Sequence, residues 1–143
     1  SRTIRESVEQ QGIKYVSLEE LLKQSDIVSL HVPFNDATKN LIGKEQIALM
    51  KKTAILLNTA RGGVIDNQVL ADALNTEQIA GAGIDVFEME PPIPKTHPLA
   101  NAKHTVLTPH VAFASQEALY TRALIVFDNI ISWEAGTPKN VIV

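Results

Sequence analysis

Cysteine is absent from the 143 residues, which excludes thiol catalysis, disulfide staples and Cys-ligated metal sites while leaving the redox compartment open. Long apolar runs are absent as well. Nothing approaches the ~20 residues of a membrane-spanning helix, and no apolar signal segment opens the chain. No cluster of Lys or Arg interrupts a formal net charge of −3, so the sequence carries no electrostatic footprint for nucleic acid or an anionic membrane. Internal repeats and low-complexity segments are also missing. What remains is ordinary for a globular chain, 45% hydrophobic and 20% charged, with the length of one domain large enough to bury a core. A cytoplasmic location is the default expectation.

One stretch organises the rest. Residues 54–57 form a short apolar run without alternation, which reads as a strand buried on both faces, and it leads directly into Asn58-Thr59-Ala60-Arg61-Gly62-Gly63. Arg61 therefore falls at the carboxyl end of a strand, the edge where open α/β sheets bind ligands. Gly62-Gly63 permit a tight turn before Asp66 caps the next helix. A guanidinium at that edge suits a carboxylate. An ordinary surface arginine in a loop is the other reading.

Around this stretch, strand and helix signals alternate. Ser17-Leu18-Glu19-Glu20 has capping-box spacing and opens a short helix through Lys23, and residues 26–33 read as a buried strand closed by Pro33. Residues 38–43 read as a loop, 44–50 and 66–74 as helices, and 79–87 as a small-residue strand. Prolines 91, 92, 94 and 98 predict an irregular loop, and residues 105–110 a further strand. Ser115 is placed to cap a long helix over about residues 116–134, with Gly136 as its stop. This alternation implies βαβ units, hence an α/β fold with a parallel sheet and helices on both faces.

Parallel strands put all their carboxyl ends on one edge, so side chains scattered over eighty positions can meet there. The strand ends carry His31, Arg61, Asp85 with Glu88 and Glu90 beyond it, and His110. A histidine, a carboxylate and an arginine in one cleft suit proton transfer combined with anchoring of an anionic substrate. Read singly, each has a plainer role: His110 as a core histidine, Glu90 as a solvated loop charge, His31 as the cap of its strand. Asp85, ending a strand of small and apolar residues, is costly to bury without a partner. A metal held by His31, Asp85 and His110 lacks close ligand spacing, so no metal site is expected.

Residues 57–66 (Leu-Asn-Thr-Ala-Arg-Gly-Gly-Val-Ile-Asp), 81–91 (Gly-Ala-Gly-Ile-Asp-Val-Phe-Glu-Met-Glu-Pro) and 108–115 (Thr-Pro-His-Val-Ala-Phe-Ala-Ser) closely resemble the signature segments of the D-isomer-specific 2-hydroxyacid dehydrogenases. The resemblance covers nearly the whole chain. It implies a nicotinamide-dependent oxidoreductase that moves a hydride between NAD or NADP and a small 2-hydroxy or 2-keto acid, working as a homodimer. It also implies that Arg61 pairs with the substrate carboxylate and helps polarise the keto oxygen, that His110 is the general acid and base, and that Glu90 orients it. By the same resemblance, Asp85 faces the nicotinamide carboxamide, and Val32, Pro33, Thr59, Ala60 and Ala112 line the dinucleotide pocket beside Arg61 and His110. Glu88 matches the motif without being the histidine's partner. A formate dehydrogenase is disfavoured, since that branch pairs its histidine with glutamine. A non-catalytic corepressor or sensor on the same fold is the alternative reading.

Two family features are missing. The G-x-G-x-x-G phosphate turn occurs nowhere, because Gly81-Ala82-Gly83 lacks the third glycine and sits within a strand, and no substrate domain is present. The expectation is therefore that residues 1–143 are the C-terminal part of the dinucleotide-binding domain, an incomplete Rossmann-type sheet inactive alone. Ser1-Arg2 would stand at the strand end that meets the adenosine ribose, where Ser-Arg suits a 2′-phosphate and thus NADP.

Overall fold

The computed structural model describes residues 5–89 and 92–142. They form two compact units, one ending at Pro109 and the other beginning at His110.

The first unit is built on four parallel strands, β1 (Ile27–Leu30), β2 (Ile55–Asn58), β3 (Gly81–Ile84) and β4 (Thr105–Leu107), ordered in space as in the chain. Register aligns their last residues, Leu30 with Asn58, Asn58 with Ile84 and Ile84 with Leu107. The segments that leave the sheet after these residues therefore start from one edge. α2 (Leu18–Gln24) leads into β1, α3 (Lys44–Leu49) joins β1 to β2 and α4 (Asn67–Asn75) joins β2 to β3; a single turn, α1 (Glu6–Glu9), comes first, in a stretch that the sequence shows only as polar.

Side-chain capping explains where α2 and α4 begin. Ser17 Oγ accepts from the Glu20 N–H at 3.2 Å, and Asp66 Oδ1 accepts from the Val69 N–H at 3.1 Å, each satisfying a donor left over by the first turn. One apolar cluster holds the unit together, joining Leu22, Ile47, Leu70 and Leu74 of the helices to Val28, Leu56 and Ile84 of the strands.

The structure corrects several expectations from sequence. β1, β3 and β4 stop earlier than expected, because Val32-Pro33, residues 85–87 and Pro109 lie in connecting loops, whereas β2 runs through Asn58. The strand at 54–57 is not buried on both faces: in β2, Leu56 and Asn58 are buried while Ile55 is 40% exposed. Ile27 and Val106 are likewise exposed. The proline-rich stretch contains a 3₁₀ turn, Pro98–Asn101, with Pro98 at its first position, where its missing N–H removes no bond.

The second unit carries α5 (Gln116–Glu134), at the predicted bounds. Ser115 Oγ caps it by accepting from the Ala118 N–H at 3.1 Å, and Gly136, at φ +74°, ends it with a left-handed residue that glycine adopts without strain. Among the described residues no helix is long and apolar enough to cross a membrane.

Candidate active site

Asn58, the fully buried last residue of β2, shapes the turn that carries Arg61. Its Nδ2 donates to the Arg61 carbonyl at 3.0 Å and its Oδ1 accepts from the Ala60 N–H at 3.1 Å, an Asx-type turn that satisfies both ends of the amide. The exposed Arg61 side chain folds back so that Nη1 donates to the Ala60 carbonyl at 2.6 Å. Beyond it, residues Gly62–Val64 make a 3₁₀ turn. Gly62 is required there by closeness rather than by dihedral angle: a Cβ would lie 1.8 Å from the Phe87 carbonyl carbon and 2.3 Å from the Glu88 nitrogen. Gly63 in turn supports the Phe34 ring, against which a Cβ would stand at 2.6 Å.

A hollow of about 580 Å³ opens at this edge, lined by His31, Val32, Pro33, Phe34, Ala60 and Arg61. Val32, Pro33, Ala60 and Arg61, four of the residues expected to bind the cofactor, thus meet in one place. Their apolar surfaces beside a single cation fit a planar ring carrying a polar substituent. His31 shares the hollow, its Nε2 2.9 Å from the Ser29 hydroxyl. Thr59 and Asp85 leave the same sheet edge without lining the hollow. Asp85 is 3% exposed, its N–H donates to the Asn58 carbonyl at 3.0 Å, and its carboxylate accepts from the Thr108 hydroxyl. Among the described residues no three His, Asp or Glu side chains gather in a metal-binding cluster.

A polar cluster that sequence reasoning misses lies next to the turn. Glu88 pairs with His97, whose Nε2 is 3.1 Å from both carboxylate oxygens, and it accepts from Asn67 Nδ2. His97 is 3% exposed; its Nδ1 accepts from the Leu99 N–H at 3.2 Å, which leaves the ring hydrogen on Nε2, facing Glu88. Burial by itself raises the Glu88 pKa. A backbone N–H of its own residue, the imidazole's hydrogen bond and electrostatic attraction, and the Asn67 amide outweigh that and hold the carboxyl below its ordinary range. A carboxyl depressed in the folded state contributes stability above its unfolded value, near pH ~4.3, and loses it as pH falls through the folded value. Thermal midpoints measured from pH 6 down to pH 3 are expected to fall less steeply for Glu88→Gln than for the parent, and equal slopes would remove this contribution.

The second unit begins at His110, which is exposed and non-glycine yet held at φ +58°. A residue with a Cβ persists in the left-handed region only where its surroundings dictate it, and such residues concentrate at functional sites. The His110 ring meets the Phe113 ring edge-on, with centroids 6.4 Å apart, and Arg122 of α5 lies 5.7 Å above the centroid of Phe113. Ala112 is exposed in the same loop. Ser1, Arg2 and Glu90 lie outside the described residues. Asn58 has a signal in the sequence, an asparagine closing an apolar run, whereas nothing in the spacing of Asn67 and His97 announces their meeting at Glu88.

A family model described as D-isomer specific 2-hydroxyacid dehydrogenase, NAD binding domain, matches residues 1–112. A glyoxylate reductase of Korarchaeum cryptofilum is 49% identical over 140 residues, covering 96% of this chain and 42% of the relative. A D-isomer specific 2-hydroxyacid dehydrogenase from Lactobacillus delbrueckii ssp. bulgaricus, solved in its NAD-complexed form, superposes with a TM-score of 0.86 at 30% identity, over 100% of this chain and 47% of that one. An acyclic imino acid reductase solved with NADPH and D-Arg gives 0.80 at 39% identity, over 93% and 42%. The chain spans between 41% and 43% of the length of the first three curated relatives it matches. On this likeness, the chain belongs to the D-isomer specific 2-hydroxyacid dehydrogenase family, whose NAD-binding domain its first 112 residues match.

Proposed function

We propose that the full-length protein interconverts a 2-keto acid and its 2-hydroxy acid with NAD or NADP. The observation that carries this reading is the Arg61 turn, fixed by buried Asn58 at the sheet edge and opening onto a hollow lined by both polar and apolar groups. A dihydronicotinamide in that hollow would supply the hydride for the keto carbon. Arg61 pairs with the substrate carboxylate and its positive charge faces the carbonyl oxygen, where negative charge develops as the carbon is reduced. His110 donates a proton to that oxygen, and in the reverse direction takes it back; Glu90 keeps the imidazole oriented and charged. Asp85 receives the carboxamide, while Val32, Pro33, Thr59, Ala60 and Ala112 exclude water around the ring. Ser1 and Arg2 are assigned to a 2′-phosphate, and the working protein is taken as a cytoplasmic homodimer. Its named relatives are reductases and dehydrogenases, which favours an enzyme over a corepressor.

The test is oxidation of NADH and NADPH by the full-length protein with glyoxylate, hydroxypyruvate, pyruvate and phosphohydroxypyruvate. Arg61→Ala is expected to lower kcat/KM for the preferred acid by about 10²–10³-fold, the size of a lost charge-assisted pair to both carboxylate and developing oxyanion. Turnover of none of the four acids, or an unchanged kcat/KM in Arg61→Ala, would overturn the assignment. A tenfold preference for NADH removes the role given to Ser1 and Arg2.

A further inference from the structure

We propose that Glu88, His97 and Asn67 form a clamp whose task is to position Arg61 for the substrate carboxylate; this rests on the role given to Arg61 above. The Gly62 backbone presses against the Phe87–Glu88 peptide, as the absence of room for a Cβ at Gly62 shows. From the other side of that 3₁₀ turn, Asn67 in the first turn of α4 donates through its amide to Glu88. Both flanks of the Gly62–Val64 turn are therefore fastened to residues 87 and 88, one through backbone contact and one through a side chain.

His97 anchors the same point from a third segment. It caps the Pro98–Asn101 turn through Nδ1 and presents its only ring hydrogen to the Glu88 carboxylate, while its ring packs edge-on to Phe87 with centroids 5.3 Å apart. Glu88 thus links three stretches of chain that leave or approach the sheet edge separately.

Stability is a poor explanation for this arrangement. The Glu88 side chain is 41% exposed, and a hydrogen bond so open to water contributes little to folding. Among the described residues, buried Asn67 Oδ1 has no hydrogen-bond partner, which is a cost that an apolar residue would avoid. A polar network kept under those conditions is explained by the geometry it enforces, here the height and direction at which Arg61 leaves the turn. A displacement of ~1 Å at a substrate-binding group lowers rates by as much as 10²-fold.

The experiment compares the full-length parent with Glu88→Ala, Glu88→Gln and His97→Phe. It measures kcat and KM for the keto acid, and dinucleotide Kd by quenching of protein fluorescence. Glu88→Ala is expected to lower kcat/KM by 10–100-fold while the dinucleotide Kd moves less than threefold. Glu88→Gln should recover most of that loss: its amide oxygen still accepts from His97, and its NH₂ can donate to Asn67 Oδ1 once the Asn67 amide rotates. His97→Phe keeps the ring but not the N–H, and should match Glu88→Ala; it carries the test if Glu88→Ala does not fold. A kcat/KM within threefold of the parent in the folded Ala or Phe variant, or Glu88→Gln as impaired as Glu88→Ala, overturns the proposal. Loss of turnover in Arg61→Ala alongside normal Glu88→Ala kinetics would sink the clamp alone, whereas an indifferent Arg61→Ala would remove the functional reading beneath it.

Discussion

Replacing His110 by asparagine in the full-length protein is expected to lower kcat for keto-acid reduction by roughly 10²–10⁴-fold while leaving the thermal midpoint unchanged or raised. The two halves of this expectation come from different features of one residue. Asparagine cannot deliver a proton to a developing alkoxide, so the acid contribution disappears. Its backbone, however, tolerates the left-handed region better than that of most residues with a Cβ, and position 110 sits at φ +58°. Asparagine therefore removes the ring without straining the backbone. Steady-state kinetics and a thermal melt on the same preparation decide the matter. Turnover within tenfold of the parent would contradict the assignment of His110.

Gly62→Ala is expected to be among the most damaging single substitutions in the first unit. A methyl carbon 1.8 Å from a carbonyl carbon cannot be relieved by a side-chain rotation, because the atoms it meets are the Phe87–Glu88 backbone. Overpacking of this kind costs about 3 kcal/mol or more, at the upper end of its range, and the relaxation must push the Arg61 turn away from residues 87 and 88. Stability and kcat/KM should then fall together, the latter by up to ~10²-fold. Gly63→Ala is the internal control. Its methyl meets the rim of the half-exposed Phe34 ring, which can swing aside, so a loss near 1 kcal/mol is expected. Equal denaturant midpoints for the two variants would contradict this reading of the turn.

The order of elements was legible because local chemistry and long-range packing agree. Ser17, Asp66 and Ser115 cap the three helices that the sequence assigns to them, and Gly136 stops the last. What was not legible came from contacts between distant segments. An apolar run cannot say which of its residues face a neighbour, so the sequence alone implies a strand covered on both sides although Ile55 is open. The two glycines at 62 and 63 look like a flexible turn, while the need for Gly62 arises from a loop 25 residues on. Glu88 was visible as a motif residue, but its partner is a histidine nine positions later, buried by a turn hidden among prolines. Arg61 is the contrasting case: both its strand end and its turn are encoded within four residues, and Asn58 writes that turn into the sequence.

The strand order has a consequence for how the first unit assembles. Because β1 to β4 are spatial neighbours in the order of synthesis, each arriving strand docks on a rim that its predecessor has just completed. No loop must thread back between strands already joined, and the search for each partner spans only one helix and its connections. Growth can therefore proceed outward like a zipper, and the turn bearing Arg61 acquires its backing from residues 87 and 88 only when the third tooth has closed.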